Sequence, residues 1–412
     1  PDIAVGAIKD DDGPGSNHGA VYILFMNSNG TVLSHQKISR SAGGFTGTPD
    51  ASAFFGNAIS SLGDVNGDNV ADIAVGNYRD GDGGTHRGAV WILFLNTDGT
   101  VLSHQKISSF QGNFSGALDN RDYFGWSVEG IGDVDGDNIP DVAVGAIRDD
   151  DGGTDRGATW ILFLNANGTV NSHAKISSNN FASLIGNVDY FGSDIANLND
   201  VNGDGVSDIV VTMERDDAGG TDRGSAVVLF LNSDGTVALH NEINDTEGNF
   251  NGVLDNQDYF GHAIGSLGDL DGDCVPELLV GANLDDDGGV NRGAVYTIFL
   301  TGTENLPRES TDRFFVTEED NSRTAIISNR LSLYPNPTGG WFTLDIELGT
   351  SEITPVKVEI FNLFGKKVYD WEADVDDQQE LNIDLSELVS GQYMVRIDIG
   401  GEVANMPVVL TK

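Results

Sequence analysis

Alternating and β-branched apolar runs, punctuated by Gly, Asn and Asp, recur through residues 1–300, and helical periodicity is absent. Around Asp133 the pattern predicts four strands, Tyr123 to Ile131, Asp141 to Ala146, Ala158 to Asn165 and Thr169 to Ile176. The third and fourth join through NANGT at 165–169, a hairpin signal because Asn-Gly accepts the left-handed conformations of a tight turn. The same signal returns as NSNGT, NTDGT and NSDGT. Four short antiparallel strands at this period predict an all-β fold made of β-propeller blades.

Just before the second strand lies DVDGDNIPDVAVGA at 133–146, repeated as DVNGDNVADIAVGN from Asp64, DVNGDGVSDIVVTM from Asp200 and DLDGDCVPELLVGA from Asp269. The intervals between these starts are 69, 67 and 69 residues. Residues 1–7, PDIAVGA, match 140–146, so the chain is expected to open in the middle of a fifth copy. Thr212 and Met213 depart from the Gly-Ala that ends the motif elsewhere, and that blade is expected to pack less regularly.

Oxygen ligands on alternate residues suit a hard cation, with side chains at loop positions 1, 3 and 5, a carbonyl at 7 and a closing acid. The candidate ligands are Asp64, Asn66, Asp68, the Val70 carbonyl and Asp72; Asp133, Asp135, Asp137, the Ile139 carbonyl and Asp141; Asp200, Asn202, Asp204, the Val206 carbonyl and Asp208; and Asp269, Asp271, Asp273, the Val275 carbonyl and Glu277. No Cys or His occupies a ligand position, which argues against zinc, and so many carboxylates favour Ca2+ over magnesium. An EF-hand would need a Glu at position 12 and a following helix, but Val75, Val144, Val211 and Val280 stand there inside strand-like runs. A single loop of this kind reads equally well as a turn; four copies favour metal. Position 6 is Asn69, Asn138, Gly205 and Cys274, three of which tolerate positive φ.

The 64 acidic against 22 basic side chains of this 412-residue chain give a formal charge of −42. That balance repels nucleic acid and anionic membranes. One cysteine builds no disulfide framework, so stacking and metal are expected to stabilise the chain. There is no apolar run long enough for a transmembrane helix and no visible signal peptide, although a chain that opens inside a motif is uninformative on the second point.

Connections of 15, 15, 13 and 15 residues separate the blades, at 39–53, 108–122, 177–189 and 244–258. A second acidic loop, RDDDGGTDRG at 148–157, recurs as RDGDGGTHRG, RDDAGGTDRG and LDDDGGVNRG. Strand parity puts the DxDxD loops and the NGT hairpins on one face. The second acidic loops and the connections, with Asp149 to Asp151, Asp155, Asn113, Phe114, Asp119 and Asn120, then crowd the other, a candidate ligand face. His35, His104, His173 and His240 recur once per blade on the fourth strand and are read as structural. No catalytic constellation is visible, so the chain is read as a non-enzyme.

The recurring Phe124–Gly125, Phe55–Gly56, Phe191–Gly192 and Phe260–Gly261, with Gly145–Ala146 after the acidic loop, resemble the FG-GAP repeats of integrin α-chain propellers and their bacterial relatives. The resemblance implies seven-bladed rings, of which this chain would supply part rather than a complete five-bladed one, and a ligand-engaging face. After an expected linker at 301–330, residues 331–412 form a different pattern. Tyr334-Pro335-Asn336-Pro337, the Phe364 to Lys366 turn, and Gly391, Tyr393 and Val395 closely resemble the type IX secretion sorting domain of Bacteroidetes, a small Ig-like β-sandwich. An Ig-like binding module is the weaker alternative. The expected product is a secreted or surface-attached Ca2+-binding propeller, at 1–300, that meets the type IX secretion machinery and an extracellular protein or glycan. The rival is the non-catalytic part of a larger secreted hydrolase or lyase whose catalytic domain lies upstream of residue 1.

Overall fold

The computed structural model describes residues 2–12, 16–271, 275–286, 289–301, 331–334, 341–347, 354–362, 367–375, 378–386, 388, 391–399 and 402–410. Every regular element among them is a strand. The first sheet is β1 (Ile3–Ala7), β2 (Ala20–Met26) and β3 (Val32–Ser39). Three four-stranded sheets follow. They are β4 (Ile59–Gly63), β5 (Asp72–Gly76), β6 (Ala89–Leu95) and β7 (Val101–Ser108); β8 (Phe124–Gly132), β9 (Asp141–Ala146), β10 (Ala158–Leu164) and β11 (Val170–Ser177); and β12 (Phe191–Asn199), β13 (Asp208–Met213), β14 (Ser225–Leu231) and β15 (Val237–Ile243). A three-stranded sheet of β16 (Phe260–Gly268), β17 (Glu277–Ala282) and β18 (Ala294–Ile298) ends the series. Each is an antiparallel meander in chain order.

The sequence explains this layering. Strands β6, β10 and β14 are apolar at nearly every position and buried along their whole length, as strands covered on both faces must be. The fourth strands β7 and β11 carry exposed residues in their first halves and sink into the core at Ile107 and Ile176.

Neighbouring sheets join through the Phe-Gly pairs. Phe55, Phe124, Phe191 and Phe260 are fully buried, and parallel bridges link Gly19 to Phe55, Gly88 to Phe124 and Gly157 to Phe191. The glycine that follows is required: Gly125 has φ of 85°, and a Cβ there would lie 2.4 Å from the Ala89 carbonyl oxygen. Polar bonds between first strands add to the join. Glu129 in β8 accepts from Ser60 Oγ at 2.8 Å on one side and from the Asn197 N–H at 3.3 Å on the other. Thr212 does not loosen its blade: β13 pairs with both neighbours, and the Thr212 hydroxyl accepts from the Asp194 N–H at 2.9 Å.

The chain divides into two compact units, Pro1–Gly268 with Val275–Pro307, and Asp269–Cys274 with Arg308–Lys412. The second contains a three-stranded sheet, β19 (Leu331–Tyr334), β20 (Trp341–Glu347) and β23 (Gln378–Asp384), and a four-stranded one, β21 (Thr354–Asn362), β22 (Lys367–Val375), β24 (Gly391–Ile399) and β25 (Glu402–Leu410). Both sheets contribute to one core, in which Phe342, Leu344 and Ile383 meet Val358, Tyr393 and Ile397. Pro335 to Pro337, the Phe364 to Lys366 turn and residues 302–330 of the expected linker lie outside the described residues.

Candidate metal centre

The DxDxD loops from Asp64, Asp133 and Asp200 are folded by their own carboxylates. In the second loop Asp133 Oδ1 accepts from the N–H groups of Gly136 and Asp137 at 2.8 and 3.0 Å, and Oδ2 from Asn138 at 2.8 Å. The loops from Asp64 and Asp200 repeat the pattern, with Asp64 Oδ1 accepting from Gly67 at 2.7 Å and Asp200 Oδ1 from Gly203 at 2.7 Å. Such Asx bonding is why Asp leads the loop. Asn69, Asn138 and Gly205 take φ of 66°, 69° and 89°, the left-handed turn the sixth position requires.

The closing acid ties the loop to the sheet. Asp141 is fully buried; its Oδ2 accepts from Val134 at 2.9 Å and its Oδ1 from Leu164 at 3.0 Å, where β10 enters the hairpin. Asp72 and Asp208 make the same pair of bonds, to Val65 and Leu95 and to Val201 and Leu231. The loops thus share an edge with the NGT hairpins. Burial, with Asp135 and Asp137 nearby, pushes the Asp141 carboxyl up to about 7, and burial raises Asp208 likewise to about 7.

Asp133, Asp135 and Asp141 bring one carboxylate oxygen each to within 4.8 Å of one another. This all-oxygen donor set fits a hard cation and offers nothing to a soft one. Asp137 stands outside that group, its Oδ1 accepting from the Ile139 N–H at 2.8 Å. In the loops from Asp64 and Asp200 an amide replaces the second acid, and Asn66 and Asn202 donate to Asp68 and Asp204 at 3.0 and 3.1 Å. In the fourth loop Asp273 lies outside the described residues and Asp269 and Asp271 fall in the second unit; Glu277 is buried at the head of β17.

On the opposite edge the structure departs from the sequence reading. Asp149 and Asp151 do not face solvent as a pair of ligands; both grip the Lys175 ammonium, at 2.6 and 2.7 Å. Phe114 is a core residue, 5.1 Å from Trp160 and 5.1 Å from His173 between ring centroids. Asn113 donates to the Val170 carbonyl at 2.8 Å, and Asn120 Oδ1 accepts from the Thr85 N–H at 2.9 Å. His104 acts as the repetition predicts: it packs against Phe45 and Trp91 and bonds Thr46 at 3.0 Å, and burial lowers its pKa. Sequence reasoning missed the lysine clamps, although a fourth-strand lysine, in HQKI or HAKI, and a second acidic loop occur together in the same blades. It missed Phe110 too, which stands 78% exposed on a connection.

Residues 55–93 match the family model described as FG-GAP repeat, and residues 332–410 match the Secretion system C-terminal sorting domain. Among curated relatives, chicken (Gallus gallus) integrin alpha-6 is 34% identical over 36% of this chain and 12% of its own length. Mouse (Mus musculus) integrin alpha-2 is 37% identical over 31% of this chain and 10% of its own, and human (Homo sapiens) integrin alpha-10 is 42% identical over 24% and 8%. The chain therefore spans about a tenth of the length of the relatives it matches. Among solved structures, dimeric latent PorU from Porphyromonas gingivalis covers 86% of this chain and 32% of its own at 13% identity, with a TM-score of 0.17, too low to carry a shared arrangement. The chain therefore contains an FG-GAP repeat, is similar over part of its length to integrin α chains, and carries a C-terminal type IX sorting domain that marks it for the secreted or outer-membrane-surface compartment. No helix among the described residues is long and apolar enough to cross a membrane.

Proposed function

We propose that this exported chain is a calcium-braced binding protein, with its FG-GAP loops filled by Ca2+ outside the cell and its opposite edge meeting an extracellular protein or glycan. The observation that carries the reading is the gathering of Asp133, Asp135 and Asp141 oxygens within 4.8 Å. Asp141 is buried there, and its ionisation is opposed unless positive charge arrives. Asp133, Asp135, Asp137, Asp141 and the Ile139 carbonyl would hold the ion in this loop; the equivalent residues from Asp64, Asp200 and Asp269 would do so in the others. Bound calcium would neutralise carboxylates that otherwise repel one another, so its contribution here is to stability. Extracellular sites of this type bind at roughly 0.1–1 mM, and filling several should add about 3 kcal/mol or more of stability at saturating calcium.

Chelation with EDTA followed by calcium titration tests the calcium reading: the melting temperature should fall and then recover. Asp137→Ala should remove one site and leave the others, because blades couple only to their neighbours. An unchanged melting curve, with no calcium by elemental analysis, would sink the assignment. For the ligand edge, exposed Phe110 is the residue to change, since Asp149 and Asp151 are held by Lys175. Phe110→Ser should reduce attachment of the purified chain to its native surface without altering the melt, and undiminished attachment would remove this edge as the binding surface.

A further inference from the structure

In the blade of β12 to β15 the lysine clamp found in the three preceding sheets gives way, and its replacement is concerted. In the blade of β8 to β11, Asp149 and Asp151 hold Lys175, whose Nζ lies 5.0 Å over the Trp160 ring, and Ser177 Oγ donates to Asp151 Oδ2 at 3.0 Å. Lys37 is held by Asp10 and Asp12 beside Tyr22, and Lys106 by Asp80 and Asp82 beside Trp91. In the blade of β12 to β15 the matching positions are Asp216, Ala218, Glu242, Val227 and Asn244, and Ala158 becomes Ser225. The ladder confirms the register: Trp160 faces Lys175 and Val227 faces Glu242.

So one acid remains, the ammonium has become a second acid, the ring beneath it is gone, and a hydroxyl and an amide have been added. Asp216 is only 8% exposed, and its Oδ2 accepts no hydrogen bond. Elsewhere the same oxygen has a donor: Lys106 reaches Asp80 Oδ2 at 2.8 Å, Lys175 reaches Asp149 Oδ2 at 2.6 Å, and the Tyr296 hydroxyl reaches Asp285 Oδ2 at 2.9 Å. Ser225 is fully buried, with its hydroxyl beside the Asp216 carboxylate. Asn244 Nδ2 donates to Glu242 Oε1 and fixes that carboxylate against Asp216. A buried carboxylate, a half-buried one and a buried hydroxyl surround a point where sibling blades keep a positive charge, and buried charge of this kind is retained only when it is compensated.

We propose that Asp216, Glu242 and Ser225 form a divalent-cation site in this blade, in which a free ion takes the place of the tethered lysine ammonium. Oxygen-only donors with two carboxylates suit a hard divalent ion. The site lies apart from the DxDxD loops, so it stands or falls separately from them.

Calcium alone is the probe, with stoichiometry counted by isothermal titration and elemental analysis on the full chain. Glu242→Gln keeps the shape and should bind one ion fewer than the parent. A fivefold reversion to the sibling pattern, Ala218→Asp with Ser225→Ala, Val227→Trp, Glu242→Lys and Asn244→Ser, should also bind one fewer while retaining the parent's calcium-loaded melting temperature, which guards against simple misfolding. Asp204→Ala in the neighbouring loop should subtract its own ion independently of either change. Equal stoichiometry in the parent, Glu242→Gln and the reversion would overturn the proposal and leave the two acids sharing a proton.

Discussion

The Lys106 ammonium lies 2.8 Å from Asp80, and both are nearly excluded from solvent. Burial alone would lower the lysine pKa, yet its bonds to Asp80 and Asp82 leave it raised, so the ammonium stays charged. Lys106→Met should therefore strand Asp80 as an uncompensated buried acid and cost about 3 kcal/mol or more. Lys37→Met, where lysine and acids keep partial solvent contact, should cost about 1 kcal/mol. Urea denaturation of the two variants separates them, and equal losses would contradict the dependence on burial.

Phe124 is fully buried, and its ring stacks on Phe114 at 5.3 Å, joining a sheet to the connection that leads into it. Phe124→Ala should cost about 3–5 kcal/mol. Gly125→Ala should also destabilise, through the 2.4 Å approach to the Ala89 carbonyl oxygen rather than through a cavity. A Phe124→Ala chain that melted like the parent would mean this seam does not hold the sheets together.

Burial pushes the Asp122 and Asp189 carboxyls up to about 7, against an unfolded value near ~3.9. Their folded pKa is raised, so their contribution is fully present below pH ~4 and is lost as pH climbs through about 7. In EDTA the chain should melt higher at pH 5 than at pH 8. Asp122→Asn, which cannot ionise, should narrow that gap. Melting temperatures that rose from pH 5 to pH 8 under chelation would reverse the sign and refute the account.

Deleting residues 331–412 removes the sorting domain. The repeat unit should still fold, since its core is its own, and the truncated chain should collect in the periplasm. Cell fractionation decides the matter: normal levels in the medium would show that export does not depend on this tail.

The repeated strands and hairpins were readable because alternation and Asn-Gly turns are local signals, and β9, at Asp141–Ala146, lies where the pattern put it. The loop acids were readable for the same reason. What local pattern could not supply was the destination of side chains whose partners stand far along the chain. Phe114 in GNFSG reads as an exposed loop aromatic until Trp160 and His173 close over it. Asp149 reads as a surface acid until Lys175, on the outer strand, reaches back to it.

The connection before each sheet helps to complete the sheet it leads into. Phe45 packs on Phe55 and Trp91, and Phe114 on Phe124 and Trp160. Gly43 and Gly112 offer their carbonyls to Val101 and Val170 at 2.8 Å, at the start of the outermost strand. The Phe-Gly pair is therefore a poor place to begin a shortened version of the array. A fragment opening at Phe124 would bare the apolar faces of Trp160 and Phe124 to water, while one opening at Ser109 would carry its own lid. The heritable unit of this architecture, the piece that can stand at an end without fraying, begins 15 residues ahead of the motif by which the repeat is recognised, at Ser109 rather than Phe124.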